Sequence, residues 1–510
     1  MLNLKVSNRS RILLFQIFPT WRGLELDMRL PLGMLNLANS LKKSGYKVEI
    51  YHIEDSQCDS VLSKINFSDV LFIGVCSVLT GFSLRSAINF SKKVKKIDNN
   101  IPIVWGGIQV TAIPEVCLKN DFVDAVGIGE GEELIVQIAK VFNGDIDPFA
   151  VKGFAFKDKA GEIFVNDQWE PIKNLDDYGP DYSFIDLNKY IFRGRVSGLM
   201  ITSKGCPFSC AFCYNNYYYR HKEIRWRKHS PEYIVNLLKY LKSKYNFHAF
   251  SFSDDNFFVD RERAVGILEE VHKLGLKTYS VDIKINNIMV DDIKAMGKLG
   301  VESVFFGTES LNSRLIKLIN KRQTKERVIE VISQFAKYAP DIQVQTEILM
   351  ALPFERKSEL RRDIKEGLDL YKYNKNLSLY FGVLFPLPKT KMMEYANING
   401  FSPKTIYDYA NIDLNTAWSI CDQWTLFDLS KKERYKLGLV EKYAALIASD
   451  RRLQSRSLYG ILKKVKAEVF FRLVKFRLQN WFFFFHELDF WVWRVLIPKL
   501  NNILSVFRPF

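Results

Sequence analysis

The sequence predicts an α/β protein: a doubly wound parallel sheet, a second series of strand–helix units, and a helical C-terminal region. Three observations carry this expectation. Short apolar runs at 12–15, 70–75 and 103–105 alternate with helix-length stretches, as strands buried in a parallel sheet do. The alternation resumes after a polar interruption and continues to about residue 385. Beyond that the composition shifts, and residues 451–510 hold 12 Lys/Arg against 3 Asp/Glu, +9 of the chain's formal +16. A chain of 510 residues with 47% apolar and 25% charged residues is globular and long enough for about three domains.

Residues 1–150 form the first sheet in this reading. A strand at 12–15 leads through a helix, from Pro31-Leu32-Gly33 to Ser44-Gly45, into a strand at 47–51. Strands at 70–75 and 103–105 follow. Ligands of doubly wound sheets sit beyond the carboxyl ends of the strands, so the loops there are candidate sites. Ser77-Val78-Leu79-Thr80 follows one strand and Gly106-Gly107 the next, and Gly127-Ile128-Gly129-Glu130-Gly131-Glu132 opens a helix. Glycine lets backbone approach a ligand with no Cβ in the way. Residues 151–194 read as a linker, and 195–395 hold six further strands, near 198–202, 250–256, 280–284, 304–310, 342–350 and 379–384. Residues 396–450, with Trp418, Cys421 and Trp424, read as a helical cap, and 451–510 as a basic, aromatic tail.

Three cysteines stand close together in Gly205-Cys206-Pro207-Phe208-Ser209-Cys210-Ala211-Phe212-Cys213, a C-x3-C-x2-C pattern. One helix face or strand cannot present all three, but a short loop can wrap them around one metal centre. Iron–sulfur clusters are held by cysteine thiolates, and three ligands on a [4Fe–4S] cluster leave one iron open. A zinc knuckle and three incidental thiols are the alternatives. Zinc usually takes four protein ligands, and the neighbouring His221 and His229 are not at a zinc-finger spacing. The seven cysteines are odd in number and otherwise scattered, so they read as reduced thiols in the cytoplasm. No secretory apolar stretch follows Met1-Leu2-Asn3-Leu4-Lys5, and export is not expected.

The cysteine pattern, with Phe212 before Cys213, resembles the signature of the radical S-adenosylmethionine (SAM) superfamily. The resemblance implies that Cys206, Cys210 and Cys213 bind a [4Fe–4S] cluster whose open iron takes SAM, which is cleaved to a 5′-deoxyadenosyl radical. It also implies a partial (β/α)6 barrel over 195–395, with the site at the strand C-terminal ends. Asp254 and Asp255 lie where the family contacts SAM after the second strand; Glu309 and Ser310 match a fourth-strand phrase, and Glu347 the corresponding place on the fifth. Pro386-Leu387-Pro388-Lys389-Thr390 resembles a Pro-x-Pro-Gly-Thr loop, with Lys389 in place of glycine. Phe212 would shield the cluster or pack on adenine.

The N-terminal region resembles the cobalamin-binding Rossmann-like domain that precedes many radical SAM enzymes. Ser77-x-Leu79 and Gly106-Gly107 match two of its motif elements, and Thr111, Pro114-Glu115 and Gly129-Glu130-Gly131-Glu132 match phrases that follow. Ser77, Leu79, Thr80, Gly106, Gly107, Gly129 and Glu130 are the implied cobalamin contacts. The family's D-x-H-x-x-G element is missing, since the region reads Phe15-Gln16-Ile17-Phe18-Pro19-Thr20-Trp21. Cobalamin would then be held without an axial imidazole, and His52 reads as a structural histidine.

The resemblance implies an enzyme, foremost one that methylates an unactivated carbon through the radical and methylcobalamin. Radical cyclisation or rearrangement, or a non-enzymatic cobalamin or Fe–S sensor, are the alternatives. A flavodoxin- or ferredoxin-type electron donor is implied, with a small-molecule, lipid or peptide substrate. Cys58, Cys76 and Cys117 do not form the second cysteine set of a methylthiotransferase. The basic, aromatic run 217–228 suits nucleic acid in the abstract but falls where the family lines its site, so nucleic acid is not expected. The tail has no apolar run of about 20 residues able to span a bilayer. Its basic residues with Trp and Phe fit a segment lying on an anionic membrane at the cytoplasmic face, or a surface docked on the barrel or forming a dimer contact.

Overall fold

A computed structural model describes residues 9–19, 30–76, 81–166, 169–192, 195–219, 225–412, 421, 423–427, 429–450, 458–481 and 483. The chain divides into two compact units, Met1–Asp282 with Phe385–Ile420, and Ile283–Leu384 with Cys421–Phe510.

The first unit opens with the expected parallel sheet: β1 (Arg11–Phe18), β2 (Lys47–Glu54), β3 (Val70–Cys76), β4 (Ile103–Gly106) and β5 (Ala125–Gly127), in the order β2-β1-β3-β4-β5. The order reverses between β1 and β3, the switch point at which such sheets bind ligands. Burial on both faces explains the uninterrupted apolar run of β3. Helices Leu32–Lys43 and Gly131–Asn143 press Met34, Leu41, Ile135 and Ile138 onto Leu14, Phe72 and Val104. Trp105 is fully buried in β4, and its indole N–H is satisfied by Ser91 Oγ at 3.0 Å.

The sheet does not stop at residue 150. β6 (Phe154–Lys157) pairs antiparallel with β5, and β7 (Ile163–Val165) with β6. Part of the segment read as a linker is therefore sheet, because Phe154 and Phe156 complete the core. The rest of it runs through three short 3-10 turns to Tyr190, whose hydroxyl meets His52 Nδ1 at 2.9 Å. Burial pushes the His52 imidazole down to about 4, with Lys189 adding to it, which is the structural role expected.

The second strand series begins in the same unit. β8 (Ile191–Phe192) pairs antiparallel with β9 (Arg195–Met200), which is followed in parallel by β12 (Ala249–Phe252) and β13 (Lys277–Asp282). Between β9 and β12 a hairpin, β10 (Ser203–Gly205) with β11 (Trp226–Lys228), brackets the cysteine loop. The helices after it are capped at their N-termini by Ser230 and Asp260, each accepting a backbone N–H.

The second unit carries three more parallel strands, β14 (Ser303–Glu309), β15 (Gln343–Met350) and β16 (Leu377–Val383), so the six expected strand–helix units are present. Trp424, 1% exposed, donates its indole N–H to Ala351 O at 2.8 Å, and its carbonyl accepts Phe354 N at 2.7 Å. Helix Leu458–Gln479 packs Phe471 against Tyr371.

The expected cap at 396–450 is split between the units. Tyr409 O accepts Gly81 N and Ala410 O accepts Arg85, which holds 385–412 to the first unit, whereas Trp424 holds the chain after 420 to the second. Trp418 lies outside the described residues.

Candidate functional site: a glycine-lined groove and a three-cysteine loop

A cavity of about 230 Å³ enters the first unit at the carboxyl ends of β3, β4 and β5. Gly33, Gly74, Gly106, Gly107 and Gly129 border it, together with Met34 and Cys76. At Gly33 and Gly106 an added Cβ would meet no atom within 4 Å, so side chains there would fill the groove. Gly129 serves a different purpose. Its φ of +92° and a Cβ position 2.0 Å from the Trp169 ring make it the site of close ring packing. Thr111 joins the two glycine turns, since its Oγ1 donates to Gly107 O and accepts Gly129 N. Ser77, Leu79 and Thr80 lie outside the described residues.

Glu130 is turned toward its own protein. Its carboxylate takes both Arg227 nitrogens, at 2.6 and 2.8 Å, and the backbone N–H of Ile172 at 2.7 Å. Glu132 pairs with Lys204 at 2.5 Å, and Lys204 stands 3.7 Å from Glu130. Burial alone would lower Lys204, but Glu132 and Glu130 hold it above its ordinary range. Burial would likewise raise Glu132, but Lys204 keeps it low. Two acids from the glycine turn thus neutralise two bases from the β10–β11 hairpin. Sequence reasoning missed Lys204 and Arg227; the legible signal was the Glu130-Gly131-Glu132 phrase beside a basic, aromatic run.

Lys204 sits at the base of the cysteine loop. Gly205 follows at φ +86°, where a Cβ would strike Arg225 O at 2.1 Å. Within the loop Cys213 N donates to Cys210 O, and Asn216 Nδ2 donates to the same carbonyl at 2.6 Å. Burial pushes the Cys213 thiol up to about 12, and Asp255, Cys210 and Cys206 add to it. Phe212 is half-buried in this loop.

The two aspartates expected to contact SAM brace this loop. Asp254 is 1% exposed and accepts from Thr202 N, Thr202 Oγ1 and Ser203 Oγ. Asp255 accepts Gly205 N at 3.1 Å and the Tyr214 hydroxyl at 3.2 Å, so one carboxylate grips the residues directly before Cys206 and directly after Cys213. Lys389, the departure from glycine, adopts φ of +60°, the backbone region glycine favours.

In the second unit, Glu309 pairs with Lys321 at 2.7 Å, and the Ser310 hydroxyl donates to Asp363. Glu347 is half-buried. Burial pushes its carboxyl up to about 7, with Glu309 and Glu441 adding and Lys321 opposing.

Residues 200–366 match the radical SAM superfamily, and residues 29–139 match the B12 binding domain. The chain carries a B12-binding domain ahead of a radical SAM domain, the arrangement of a cobalamin-dependent radical SAM enzyme. An uncharacterized methyltransferase of Pyrococcus horikoshii is 27% identical over 377 residues, 72% of this chain and 79% of that protein. The anaerobic magnesium-protoporphyrin IX monomethyl ester cyclase of Rubrivivax gelatinosus is 24% identical, over 69% of this chain and 64% of its own. The cobalamin-dependent S-adenosylmethionine radical enzyme OxsB, solved with aqua-cobalamin and S-adenosylmethionine, superposes with a TM-score of 0.67 at 16% identity, over 92% of this chain and 72% of its own. At that identity the likeness establishes the fold.

The residues present fit these cofactors. Among the described residues no three of His, Cys, Asp or Glu converge as they would around a single ion. A [4Fe–4S] cluster spreads its thiolates over separate irons. Cys58 and Cys117 are buried, with thiols pushed up by burial. The groove in turn is a cradle that a Cβ at Gly33 or Gly106 would fill.

The buried charges make a direct prediction. Arg227→Met leaves Glu130 without its bidentate partner and costs about 3–5 kcal/mol, while Arg227→Met with Glu130→Met recovers most of it. Urea unfolding of the two variants measures both values.

Proposed function

We propose that this enzyme transfers a methyl group to an unactivated carbon of an apolar, membrane-derived substrate. The observation that supports it best is the pairing, within one compact unit, of the glycine-lined groove with the three-cysteine loop through Glu130, Glu132, Lys204 and Arg227. Cys206, Cys210 and Cys213 hold the cluster, and the groove between Gly33 and Gly106 takes the nucleotide arm of cobalamin, since its volume suits a bicyclic ring but not a corrin. When bound, the cluster with SAM supplies a carbon radical able to abstract hydrogen, and cobalamin supplies a methyl-transfer centre.

The chain's own residues bind and orient. Asp254 and Asp255 fix the cysteine loop, and Phe212 and Tyr214 keep water from it. In the second unit Lys321 holds Glu309 and Asp363 holds Ser310, which fixes both side chains at a strand end. Glu347, whose carboxyl burial raises to about 7, is a titratable group of the second unit that a substrate could use as an acid or base. An external one-electron donor of flavodoxin or ferredoxin type supplies reducing equivalents, in the cytoplasm and without oxygen. Ring closure is the second reading, favoured by the likeness to the anaerobic cyclase.

Helix Leu458–Gln479 supports the membrane assignment. Val469, Leu473 and Phe476 are 63, 41 and 58% exposed, at spacings that align them on one face. The opposite face, with Phe471, Val474 and Leu478, is buried. The helix sequence holds six Lys/Arg against one Glu, which suits an anionic lipid surface and opposes pairing with a second copy. No described helix is long and apolar enough to cross a membrane.

Two measurements test these readings. Anaerobically reconstituted protein with hydroxocobalamin, a strong reductant and SAM carrying a deuterated methyl group is expected to make 5′-deoxyadenosine, and to label a component of a membrane lipid extract. Cys210→Ala abolishes both. Deoxyadenosine with no label in any product contradicts methyl transfer and favours ring closure. The protein is also expected to float with phosphatidylglycerol vesicles and not with pure phosphatidylcholine. Val469→Ser, Leu473→Ser and Phe476→Ser together remove flotation; retention by that variant refutes the lipid-facing role.

A further inference from the structure

A second cavity borders the same turn that lines the groove. The turn is Gly106-Gly107-Ile108-Gln109; Gly106 and Gly107 border the groove, while Ile108 and Gln109 border the second cavity, and Tyr218 borders both. The second cavity is small, about 40 Å³, and its other walls are Ala112, Tyr214, Tyr217, Leu387 and Pro388.

Gln109 is the anomaly in this wall. It is 2% exposed, yet its Nε2 has no hydrogen-bond acceptor. Burying an amide donor without a partner is unfavourable, so such groups in a native fold call for an explanation. Two of the three ring hydroxyls beside it are used elsewhere, Tyr217 on Thr111 O at 3.3 Å and Tyr214 on Asp255 at 3.2 Å. A lone water needs two to four polar partners, and ring faces with aliphatic carbon make up most of these walls. What fits the space is a single neutral carbonyl group on a larger ligand.

We propose that Gln109 Nε2 donates to a side-chain amide carbonyl on the corrin edge of cobalamin, which makes Gln109 a cofactor-specificity residue. The inference rests on cobalamin occupying the groove. The corrin edge bears neutral amide arms, each ending in a carbonyl acceptor and each small enough for this cavity. Tyr218 borders both the groove and the small cavity, so an amide arm of a ligand seated in the groove would have only that ring to pass to meet the donor. A neutral donor with no cation among the lining residues selects an amide over a carboxylate.

The test is an anaerobic absorbance titration of hydroxocobalamin into the full-length, cluster-reconstituted protein, with a melting curve recorded before cobalamin is added. Gln109→Leu and Gln109→Glu are each expected to raise Kd by about threefold to tenfold, the worth of one hydrogen bond. Without cobalamin, Gln109→Leu is expected to melt at or above the wild-type temperature, because an unpaired buried donor has been removed. Unchanged Kd in both variants overturns the proposal. So does a joint loss of affinity and melting temperature in Gln109→Leu, which would make Gln109 structural. Wild-type protein that binds no cobalamin overturns the groove reading itself, and the wild-type titration alone reveals that.

Discussion

Four charges in a water-poor interior govern the arrangement of this protein's first unit. Glu130, Glu132, Lys204 and Arg227 balance to zero, and none is tolerable there without its partner. Glu130 and Glu132 sit on the glycine turn of the first sheet; Lys204 and Arg227 sit on the two strands that bracket the cysteine loop. The pairing therefore fixes where the loop stands relative to the groove. Other contacts follow from it: Arg227 lies over the Tyr219 ring at 5.4 Å, and Trp169 packs into the space that Gly129 leaves open. A hydrophobic contact of similar area would tolerate sliding, whereas a bidentate Arg–carboxylate pair does not.

The carboxylates divide into those that hold the protein and those available to a ligand. Asp254 and Asp255 spend their oxygens on Thr202, Ser203, Gly205 and Tyr214, so they are positioning residues for the cysteine loop. Burial raises both, and the donors around them pull the other way. Glu347 differs: its neighbours Glu309 and Glu441 share its sign, and only Lys321 opposes them. That difference in surroundings sets Glu347 apart from the two aspartates in a way residue type alone does not.

Much of the fold was legible because buried parallel strands have a simple signature. The apolar runs at 12–15, 70–75 and 103–105 fall inside β1, β3 and β4, and all six later strands appear where alternation placed them. The antiparallel β6 and β7 escaped notice because they are only four and three residues long. The split of 396–450 was hidden because it depends on backbone contacts, Gly81 with Tyr409 and Phe354 with Trp424, that leave no pattern in side-chain type. The cysteine loop was fully marked by spacing. Lys204 and Arg227 were not, since an ion pair 72 or 97 residues apart in sequence has no local period to betray it. Gly106 and Gly129 look alike in sequence, yet one opens a cavity and the other admits a tryptophan ring.

The central claim is that the glycine-lined groove is where cobalamin binds. Gly106→Leu tests it most directly, because its Cβ would meet no atom of the protein and the added side chain projects into the groove. The measurement is hydroxocobalamin retained after gel filtration of the reconstituted variant, together with its iron content and melting temperature. The account predicts wild-type melting and iron with cobalamin lost. Cobalamin retained at the wild-type level would contradict it.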